Sequence, residues 1–251
     1  MIGDVIGRPG RWALKQLLPG LRYEYQIDLA IANAENAAGG LGLTPATAEE
    51  LLDSGVDVLT SGNHIWDRRE IIPYLDSGQP VIRPLNYPPG VPGRGYLVRG
   101  GALVVNLMGR TFMGDLDCPF RAMDQLLAGF DDKPPVIIVD IHAEATSEKV
   151  ALGRYLDGRT SAVLGTHTHV GTIDAQVLPG GTVFVTDVGM TGPIDSVIGD
   201  DTEAVIRRFL TRMPHRLSVG RGASVLNAVI VDVAEDSGKA IAISRIDREV
   251  K

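Results

Sequence analysis

The chain has 251 residues, of which 44% are hydrophobic and 22% charged, so it has the composition of a globular protein that can bury a full core. Its net charge of −7 argues against a surface that binds nucleic-acid polymers through their phosphates, although bound cations would still allow a small anionic substrate. Cys118 is the single cysteine, and the sequence has no signal-peptide or membrane-span pattern, so we expect a cytoplasmic protein with no membrane partner.

The first third of the chain alternates between predicted strands and helices. The apolar periodicity predicts strands at residues 29–32 and 56–59, and helices at residues 11–18, 45–52 and 67–75. Thr44 is the predicted N-cap of the second helix, and Pro45 is its first residue. This alternation favours a sheet with helices on its faces.

The start of the chain contains a very short predicted strand. Only Met1 and Ile2 precede a glycine-rich loop at residues 3–10, whereas a strand normally has about 5–6 residues. We therefore expect the native chain to begin several residues upstream of Met1.

The remainder of the chain predicts more strands, with a change of pattern after residue 169. Strands are predicted at residues 95–98, 102–106, 136–140 and 161–164, and helices at residues 120–127 and 147–156. A β-hairpin follows at residues 174–177 and 182–186, then a helix at residues 202–211 and two antiparallel strands at residues 224–233 and 240–246. We predict an α/β fold in which two sheets pack together with helices outside, in a single domain spanning residues 1–251.

Four of the five histidines lie at the ends of predicted strands. His64, His142 and the pair His167 and His169 follow the strands at residues 56–59, 136–140 and 161–164, respectively. Open α/β sheets build their sites at the carboxyl ends of strands. One histidine in such a place is most often an ordinary polar loop residue, but four in matching places predict a shared site.

Carboxylates, amides and imidazoles at these strand ends form a mixed set of oxygen and nitrogen ligands. The set comprises Asp4, Glu35, Asn36, Asn63, His64, His142, His167 and His169. Without thiolates, a closed structural zinc site is not expected, and imidazole with carboxylate suits Fe, Mn, Zn or Ni. The set exceeds the needs of one ion and allows two ions about 3.5–4 Å apart, which Glu35 is placed to bridge.

The order of these residues resembles that of the calcineurin-like metallophosphoesterases, and the finer pattern is similar to the bacterial YmdB-like phosphodiesterases. The segments that carry the resemblance are residues 3–10 (GDVIGRPG), 35–40 (ENAAGG), 62–64 (GNH), 140–149 (DIHAEATSEK), 165–169 (GTHTH) and 187–193 (DVGMTGP). These motifs are specific, and the resemblance covers essentially the whole chain.

The resemblance implies a four-layer α/β/β/α sandwich. It also implies a metal-dependent phosphodiesterase that hydrolyses 2′,3′-cyclic nucleotides through a hydroxide bound to two metal ions. Iron or manganese in the site, homo-oligomers and a role in biofilm regulation are further implications. The expected partner is a small phosphodiester substrate, with no stable nucleic-acid partner.

The resemblance also assigns roles to individual residues. One ion would be held by Asp4, Glu35, Asn36 and His169, and the other by the bridging Glu35 with Asn63, His142 and His167. His64 would contact the phosphate just outside the metals and protonate the leaving oxygen. The wider superfamily has Asp-x-His in its first motif, but Ile6 stands at the third position here, so Asn36 is assigned in its place. Glu35 replaces the usual bridging Asp.

Other polar residues near these motifs have open or structural assignments. Asp140 either orients an imidazole from behind or has no part in the site. Arg110 either neutralises a phosphate or is a solvated loop residue, and we favour the second. Residues predicted to have only structural or surface roles are Glu144, Thr146, Ser147 and Glu148, which cap or begin a helix, and His215.

Three other functions remain open on the sequence alone. A phosphomonoesterase or a nuclease would use the same metal site, and the acidic charge argues mildly against the nuclease. A non-catalytic regulator would bind metals without hydrolysing a phosphodiester. A cofactor-dependent oxidoreductase is disfavoured because the G-x-G-x-x-G spacing is absent.

Overall fold

The computed structural model describes residues 1–251 and contains twelve strands and six helices. In chain order they are β1 (Asp4–Val5), α1 (Gly7–Glu24), β2 (Ile31–Asn33), α2 (Pro45–Asp53), β3 (Val58–Thr60), α3 (Ile71–Leu75), β4 (Tyr96–Arg99), β5 (Ala102–Met108), α4 (Pro119–Ala128), β6 (Val136–His142), α5 (Thr146–Tyr155), β7 (Ala162–Thr166), β8 (Gln176–Val177), β9 (Val183–Val185), β10 (Met190–Pro193), α6 (Thr202–Thr211), β11 (Ser224–Val233) and β12 (Ala240–Val250). None of the six helices combines the length and apolar character that a membrane span requires.

The first sheet brings the two ends of the chain together. Its strand order is β1-β10-β11-β12, with β1 parallel to β10 and the other pairs antiparallel. The parallel pair β2 and β3 joins this sheet through Ile2, which bridges Ala32 on one side and Ala228 on the other. Asp4 therefore lies on a two-residue strand that pairs with β10 and directly follows the segment that Ile2 holds between two neighbouring strands.

The second sheet has the strand order β4-β5-β6-β7-β9-β8. Its central strands β5, β6, β7 and β9 run parallel, and the edge strands β4 and β8 are antiparallel to their neighbours. Met108, His142 and Thr166 are register partners across β5, β6 and β7. The carboxyl ends of these strands therefore meet at one edge, where the polar residues of the following loops also begin.

Three apolar clusters form the core. One joins α1 and α2 to the first sheet through residues such as Leu14, Leu51 and Leu226. A second contains Ile31 and Val229 of the first sheet together with Val104, Ile138 and Leu164 of the second. The third joins the second sheet to α4 and α5. The sheets thus contact each other through apolar side chains, and helices pack against each of them.

Several predicted elements are confirmed. Helix α2 begins at Pro45, and the side chain of its N-cap Thr44 accepts a hydrogen bond from the Thr47 N–H. Strands β8 and β9 form the predicted hairpin, and β11 and β12 are antiparallel as predicted, although β12 extends to Val250 rather than to residue 246.

Two predicted helix starts are wrong, and one strand was not predicted. Helix α1 begins at Gly7 rather than residue 11, because Pro9 in the first turn needs no hydrogen-bond acceptor and so does not delay the helix. The helix predicted at residues 67–75 is only α3, since turns occupy the residues before Ile71. Strand β10 was not predicted, because its four residues include a glycine and a proline and lack strand periodicity.

Replacing Gly3 by alanine tests how closely the start of the chain packs against Gly189 in the first sheet. An added Cβ at Gly3 would overlap the Gly189 carbonyl oxygen, whereas one at Gly20 meets nothing within 4 Å. We expect Gly3→Ala to lower the free energy of unfolding by about 3 kcal/mol. Gly20→Ala, inside α1, should raise it by up to about 1 kcal/mol. Urea denaturation measures both, and equal stabilities would contradict this packing of the first sheet.

Candidate metal centre

Polar side chains from five chain segments converge at the edge formed by the strand ends. Asp4 comes from β1, residues 34–36 follow β2, and residues 62–64 follow β3. His142 ends β6, and residues 167–169 follow β7. The structure brings all eight residues of the sequence-based ligand set into this one region.

The densest contacts surround Nε2 of His142, which is fully buried. Glu35 Oε1 lies 2.9 Å from this nitrogen, the His167 Nδ1 lies 3.0 Å from it, and the Asn63 Oδ1 lies 3.1 Å from it. Ligand atoms of Glu35, His142 and His167 all lie within 4.8 Å of one another. An imidazole nitrogen carries at most one proton and can donate to only one of these three neighbours.

The atoms around His142 Nε2 offer more lone pairs than there are protons to share among them, which suits the binding of a metal ion. Glu35 Oε1 and Asp4 Oδ1 are buried oxygens without a hydrogen-bond partner. Buried polar atoms are rarely left unpaired, since each costs free energy comparable to a lost hydrogen bond. A cation between Glu35, Asn63, His142 and His167 would satisfy the Glu35 oxygen, and carboxylate, amide and imidazole are suitable donors for it.

A second, looser group surrounds Nε2 of His169. Asp4 Oδ1 lies 3.7 Å from this nitrogen, and Nδ2 of Asn36 lies 3.2 Å from it. A half-turn of the Asn36 amide would direct its oxygen to the same point, and the two orientations differ only in which atoms are named O and N. Asp4 Oδ2 accepts a hydrogen bond from the backbone N–H of His167, which ties the two groups together.

His64 lies beside the first group and is not part of it. Its backbone N–H donates to Glu35 Oε2 at 2.9 Å. Its Nδ1 lies 2.8 Å from Asp67 Oδ2, so the carboxylate holds one ring nitrogen and leaves Nε2 free. The imidazole is about one-third exposed, so it can meet a molecule that enters the site.

Similarity to known proteins identifies the family of this chain. The model of the family described as "YmdB-like protein" matches residues 1–246. The chain belongs to the YmdB-like family. This family is part of the metallophosphoesterase superfamily.

Relatives of this YmdB-like chain span its whole length. A Bacillus subtilis (strain 168) protein named "2′,3′-cyclic-nucleotide 2′-phosphodiesterase" is 48% identical over 249 residues, which cover 98% of this chain and 94% of that protein. A crystal structure described as a hypothetical protein from Thermus thermophilus has a TM-score of 0.92 at 48% identity and covers 99% and 97% of the two chains. A crystal structure described as a novel phosphatase from Mycoplasma pneumoniae has a TM-score of 0.92 at 34% identity, covering 99% and 92%.

In this YmdB-like chain, hydrogen bonds at the far side of the His142 and His169 rings leave Nε2 of each as the nitrogen that faces the site. Thr166 Oγ1 donates to Asp140 Oδ1 at 2.8 Å, so it accepts the proton of His142 Nδ1 at 2.9 Å. His169 Nδ1 donates to the Ile198 carbonyl oxygen at 2.7 Å. These bonds select the tautomer in which Nε2 of His142 and of His169 can bind a metal.

The prediction that left the role of Asp140 open is resolved by its contacts. Asp140 does not touch an imidazole but acts through Thr166, and its other oxygen accepts hydrogen bonds from Thr60 and Asn33. Burial raises the pKa of Asp140 to about 6. Sequence analysis did not find Asn33, Thr60 or Thr166, because neutral side chains in strands carry no distinctive pattern.

The charged groups in the cluster also shift one another's pKa values. Burial by itself lowers the pKa of His142, but the carboxylates of Glu35 and Asp4 outweigh burial and raise it. Burial would raise the pKa values of both carboxyls, yet the neighbouring imidazoles hold them below their usual range. Burial and the charge of His142 lower the pKa of His167 to about 4. Burial lowers the pKa of His169, but the hydrogen bond and the negative charge of Asp4 raise it by more, so that the pKa is about 9. The carboxylates therefore stay ionised in a buried space that needs a cation.

Asp187 anchors the loop that carries His167 and His169. Its Oδ2 accepts hydrogen bonds from the backbone N–H of Thr168 at 3.0 Å, from Thr168 Oγ1 at 2.8 Å and from Lys149 Nζ at 2.8 Å. Lys149 and Asp187 are both completely buried. This Lys149–Asp187 pair and its bonds to Thr168 are called the Thr168 clamp below.

The Thr168 clamp holds two histidines in an unusual backbone conformation. The φ angle is +100° at His167 and +65° at His169, a region that residues other than glycine rarely adopt. Such conformations cost of order 1–3 kcal/mol each and persist only where surrounding contacts enforce them. Thr168 lies between the two histidines, so the clamp acts at the centre of the strained turn.

Gly62 allows its loop to lie close against the cluster around His142. A Cβ at this position would overlap the ring of His142 and the Glu35 carboxylate. The residue in Gly62-Asn63-His64 that precedes the two functional side chains must therefore be glycine for the loop to lie against the cluster.

Four other assignments from the sequence have clear outcomes. Glu144, predicted to cap a helix, instead lies with Oε2 3.2 Å from Nε2 of His167, while Ala145 is the N-cap. Glu148 is in the first turn of α5, and its carboxylate accepts backbone hydrogen bonds from Arg110 and Thr111. Arg110 is exposed. His215 lies beyond α6, next to Thr211, outside the metal-binding groups.

Replacing Thr168 by valine tests the Thr168 clamp. Thr168→Val keeps the shape of the side chain but removes the hydroxyl that donates to Asp187, and it leaves the loop less firmly held. We expect metal affinity to fall about tenfold or more, as for other residues that orient metal ligands. Chelator competition measures the affinity, and Thr168→Ser, which keeps the hydroxyl, should retain it. Equal metal affinity in Thr168→Val and the unmodified protein would show that the clamp does not position the histidines.

Proposed function

We propose that the protein is a metal-dependent phosphodiesterase that hydrolyses 2′,3′-cyclic nucleotides. The observation that carries the proposal is the crowding of Glu35, Asn63 and His167 around one buried nitrogen of His142, with unpaired carboxylate oxygens beside it. The name of the Bacillus subtilis relative supports the choice of substrate class.

Two metal ions, iron or manganese, are part of this proposal. One would be held by Asp4, Glu35, Asn36 and His169, and the other by Glu35, Asn63, His142 and His167. Glu35 belongs to the first group and directly precedes Asn36 of the second, which supports its role as the bridging carboxylate. When bound, such a pair of ions lowers the pKa of a water molecule and stabilises negative charge on phosphate oxygens.

His64 is proposed to act as the general acid. Asp67 holds Nδ1 of the ring, and the protonated Nε2 would then donate to the ribose oxygen that leaves phosphorus. The partial exposure of the ring supports contact with the substrate. Asp67 is a positioning residue that the sequence analysis missed, although its place three residues after His64 is the signal that could have indicated it.

The four-layer α/β/β/α arrangement is also proposed. The apolar cluster shared by the two sheets and the separate clusters under the helices support it. In this arrangement, the strand ends of both sheets open toward the same site.

Two other functions remain as alternatives. A phosphomonoesterase or a nuclease could use the same residues, and a metal-binding regulator could bind the ions without hydrolysis. The net charge of −7 supports a small substrate over a nucleic-acid polymer.

Replacing His64 by alanine tests its assignment. We expect His64→Ala to lower turnover by about 10²–10⁴-fold, which is the usual contribution of a general acid, while metal content stays unchanged. Glu35→Gln is the comparison, because weakening the bridging carboxylate should lower metal occupancy as well as turnover. Elemental analysis of both purified variants measures the metals, and loss of metal in His64→Ala would overturn the assignment.

A substrate panel tests the reaction itself. Rates of the metal-loaded protein are compared on 2′,3′-cyclic AMP, 3′,5′-cyclic AMP, a phosphomonoester and RNA. We expect 2′,3′-cyclic AMP to be hydrolysed fastest. A preference for the monoester or RNA would favour the alternative enzymes, and no hydrolysis of any substrate would favour the regulator.

A further inference from the structure

Residues 197–200 form a two-residue hairpin turn beside the metal centre. The backbones of Val197 and Asp200 exchange two hydrogen bonds, of 2.9 and 3.1 Å, across this turn. Ile198 and Gly199, which lie between them, have φ angles of +49° and +107°. Positive φ at both central residues is typical of a type I′ turn, in which Asn-Gly is a strongly preferred sequence. Isoleucine is therefore an unexpected residue at the first central position.

This isoleucine is held in a backbone conformation that its side chain disfavours. Six residues other than glycine have positive φ angles, and Ile198 is the one among them with a β-branched side chain. A β-branched side chain is crowded by its own backbone in the left-handed region, so a positive φ at such a residue is an outlier. Conformations of this kind persist where surrounding contacts enforce them, and they cluster at functional sites.

Contacts of the neighbouring residues enforce the turn. The Gly199 N–H donates to Ser196 Oγ at 3.0 Å, and the Gly199 carbonyl accepts a hydrogen bond from the Gly220 N–H at 2.8 Å. A Cβ at Gly199 would come within 2.8 Å of the Ile6 side chain, so the turn packs closely on the segment between β1 and α1. The surrounding structure therefore imposes the backbone conformation, whatever residue occupies the first central position.

The backbone contact of Ile198 with the metal centre does not account for its side chain. Its carbonyl oxygen accepts a hydrogen bond from His169 Nδ1 at 2.7 Å. Any residue supplies a carbonyl, and asparagine or glycine would supply it at this φ with less strain. The side chain is also no core residue, since it is 52% exposed. Contact with a molecule that enters the site would explain both the residue type and its exposure.

We propose that Ile198 is a substrate-binding residue whose side chain packs against the base of the nucleotide. The inference rests on the proposed function, because it takes the substrate to be a nucleotide. Ile198 adjoins the Nδ1 end of the His169 ring through its carbonyl, whereas Nε2 at the other end of the ring faces Asp4 and Asn36. A nucleotide whose phosphate lies in the metal centre is therefore long enough to reach Ile198.

The base is the part of a nucleotide that suits an aliphatic side chain. Its flat face accepts packing contacts whatever the base, whereas the ribose and the phosphate present hydroxyl groups and negative charge. Sites for small molecules commonly combine apolar walls with a few polar groups. Val170, which directly follows His169, provides another exposed aliphatic side chain in this region. Because such a wall offers no hydrogen bonds, it strengthens the binding of every base and selects none.

Binding of two phosphomonoesters to Ile198→Asn tests the contact. The ligands are 3′-AMP, which carries a base, and glycerol 2-phosphate, which carries none, and calorimetry with the metal-loaded protein measures both dissociation constants. We expect the dissociation constant of 3′-AMP to rise about tenfold and that of glycerol 2-phosphate to stay unchanged, because only the base loses an apolar contact. Ile198→Val keeps an aliphatic side chain and should bind 3′-AMP nearly as tightly as the unmodified protein.

Thermal unfolding of the metal-free variants gives a second readout. Asparagine suits the first central position of a type I′ turn, so Ile198→Asn should raise the melting temperature by about 2–4 °C even though it weakens the binding of 3′-AMP. Ile206→Asn is the matched control, since Ile206 is 50% exposed on α6. This control should leave 3′-AMP binding unchanged and should not raise the melting temperature.

Three results would overturn the inference while leaving a phosphoesterase function in place. They are equal 3′-AMP binding by Ile198→Asn and the unmodified protein, equal binding of the two ligands by the unmodified protein, and a lower melting temperature in Ile198→Asn, which would mean that the isoleucine stabilises the fold. Weaker binding of glycerol 2-phosphate by Ile198→Asn would also count against it, because the substitution would then disturb His169. If the unmodified protein binds neither ligand, the proposed function itself fails.

Discussion

The structure depends on one constraint: buried acidic and imidazole groups at the strand ends hold more lone pairs than they have protons to fill. Two oxygens and an imidazole nitrogen lie within 3.1 Å of His142 Nε2, and oxygens of Asp4 and Glu35 have no hydrogen-bond partner. Such an arrangement would be costly in a site that bound nothing. It is tolerated because the surrounding sheets fix the groups in place and because a cation can balance them.

Rigidity around these groups comes from buried contacts behind the site. Thr166 and Asp140 orient His142 from within the sheet, and the Thr168 clamp holds the turn between His167 and His169. A buried ion pair such as Lys149–Asp187 contributes little net stability, because desolvation offsets its Coulomb attraction. The pair instead fixes a position in the chain. One oxygen of Asp187 accepts three hydrogen bonds, and these hold the strained backbone of the turn in place.

Much of the fold could be predicted from particular residues. Apolar runs ending in polar residues located β3, β6 and β7, and Thr44 with Pro45 located the start of α2. The start of α1 and the existence of β10 could not be predicted, because glycine and proline at these places have weak local preferences that the tertiary contacts override. The residues of the candidate site were found because charged and imidazole groups after strands are uncommon. Glu144 was misjudged because its contact with His167 joins residues that the chain places 23 positions apart.

The sequence by itself determined the residue types at the strand ends and their order along the chain, since these follow from local patterns. It also determined that the candidate ligands are oxygen and nitrogen atoms. Only the tertiary structure decided which nitrogen of His142 and of His169 faces the site, because the hydrogen bonds to Thr166 and Ile198 hold the other nitrogen. The structure also decided that Asp187 and Lys149 act on Thr168, because a buried pair forms only when distant segments pack and exclude water.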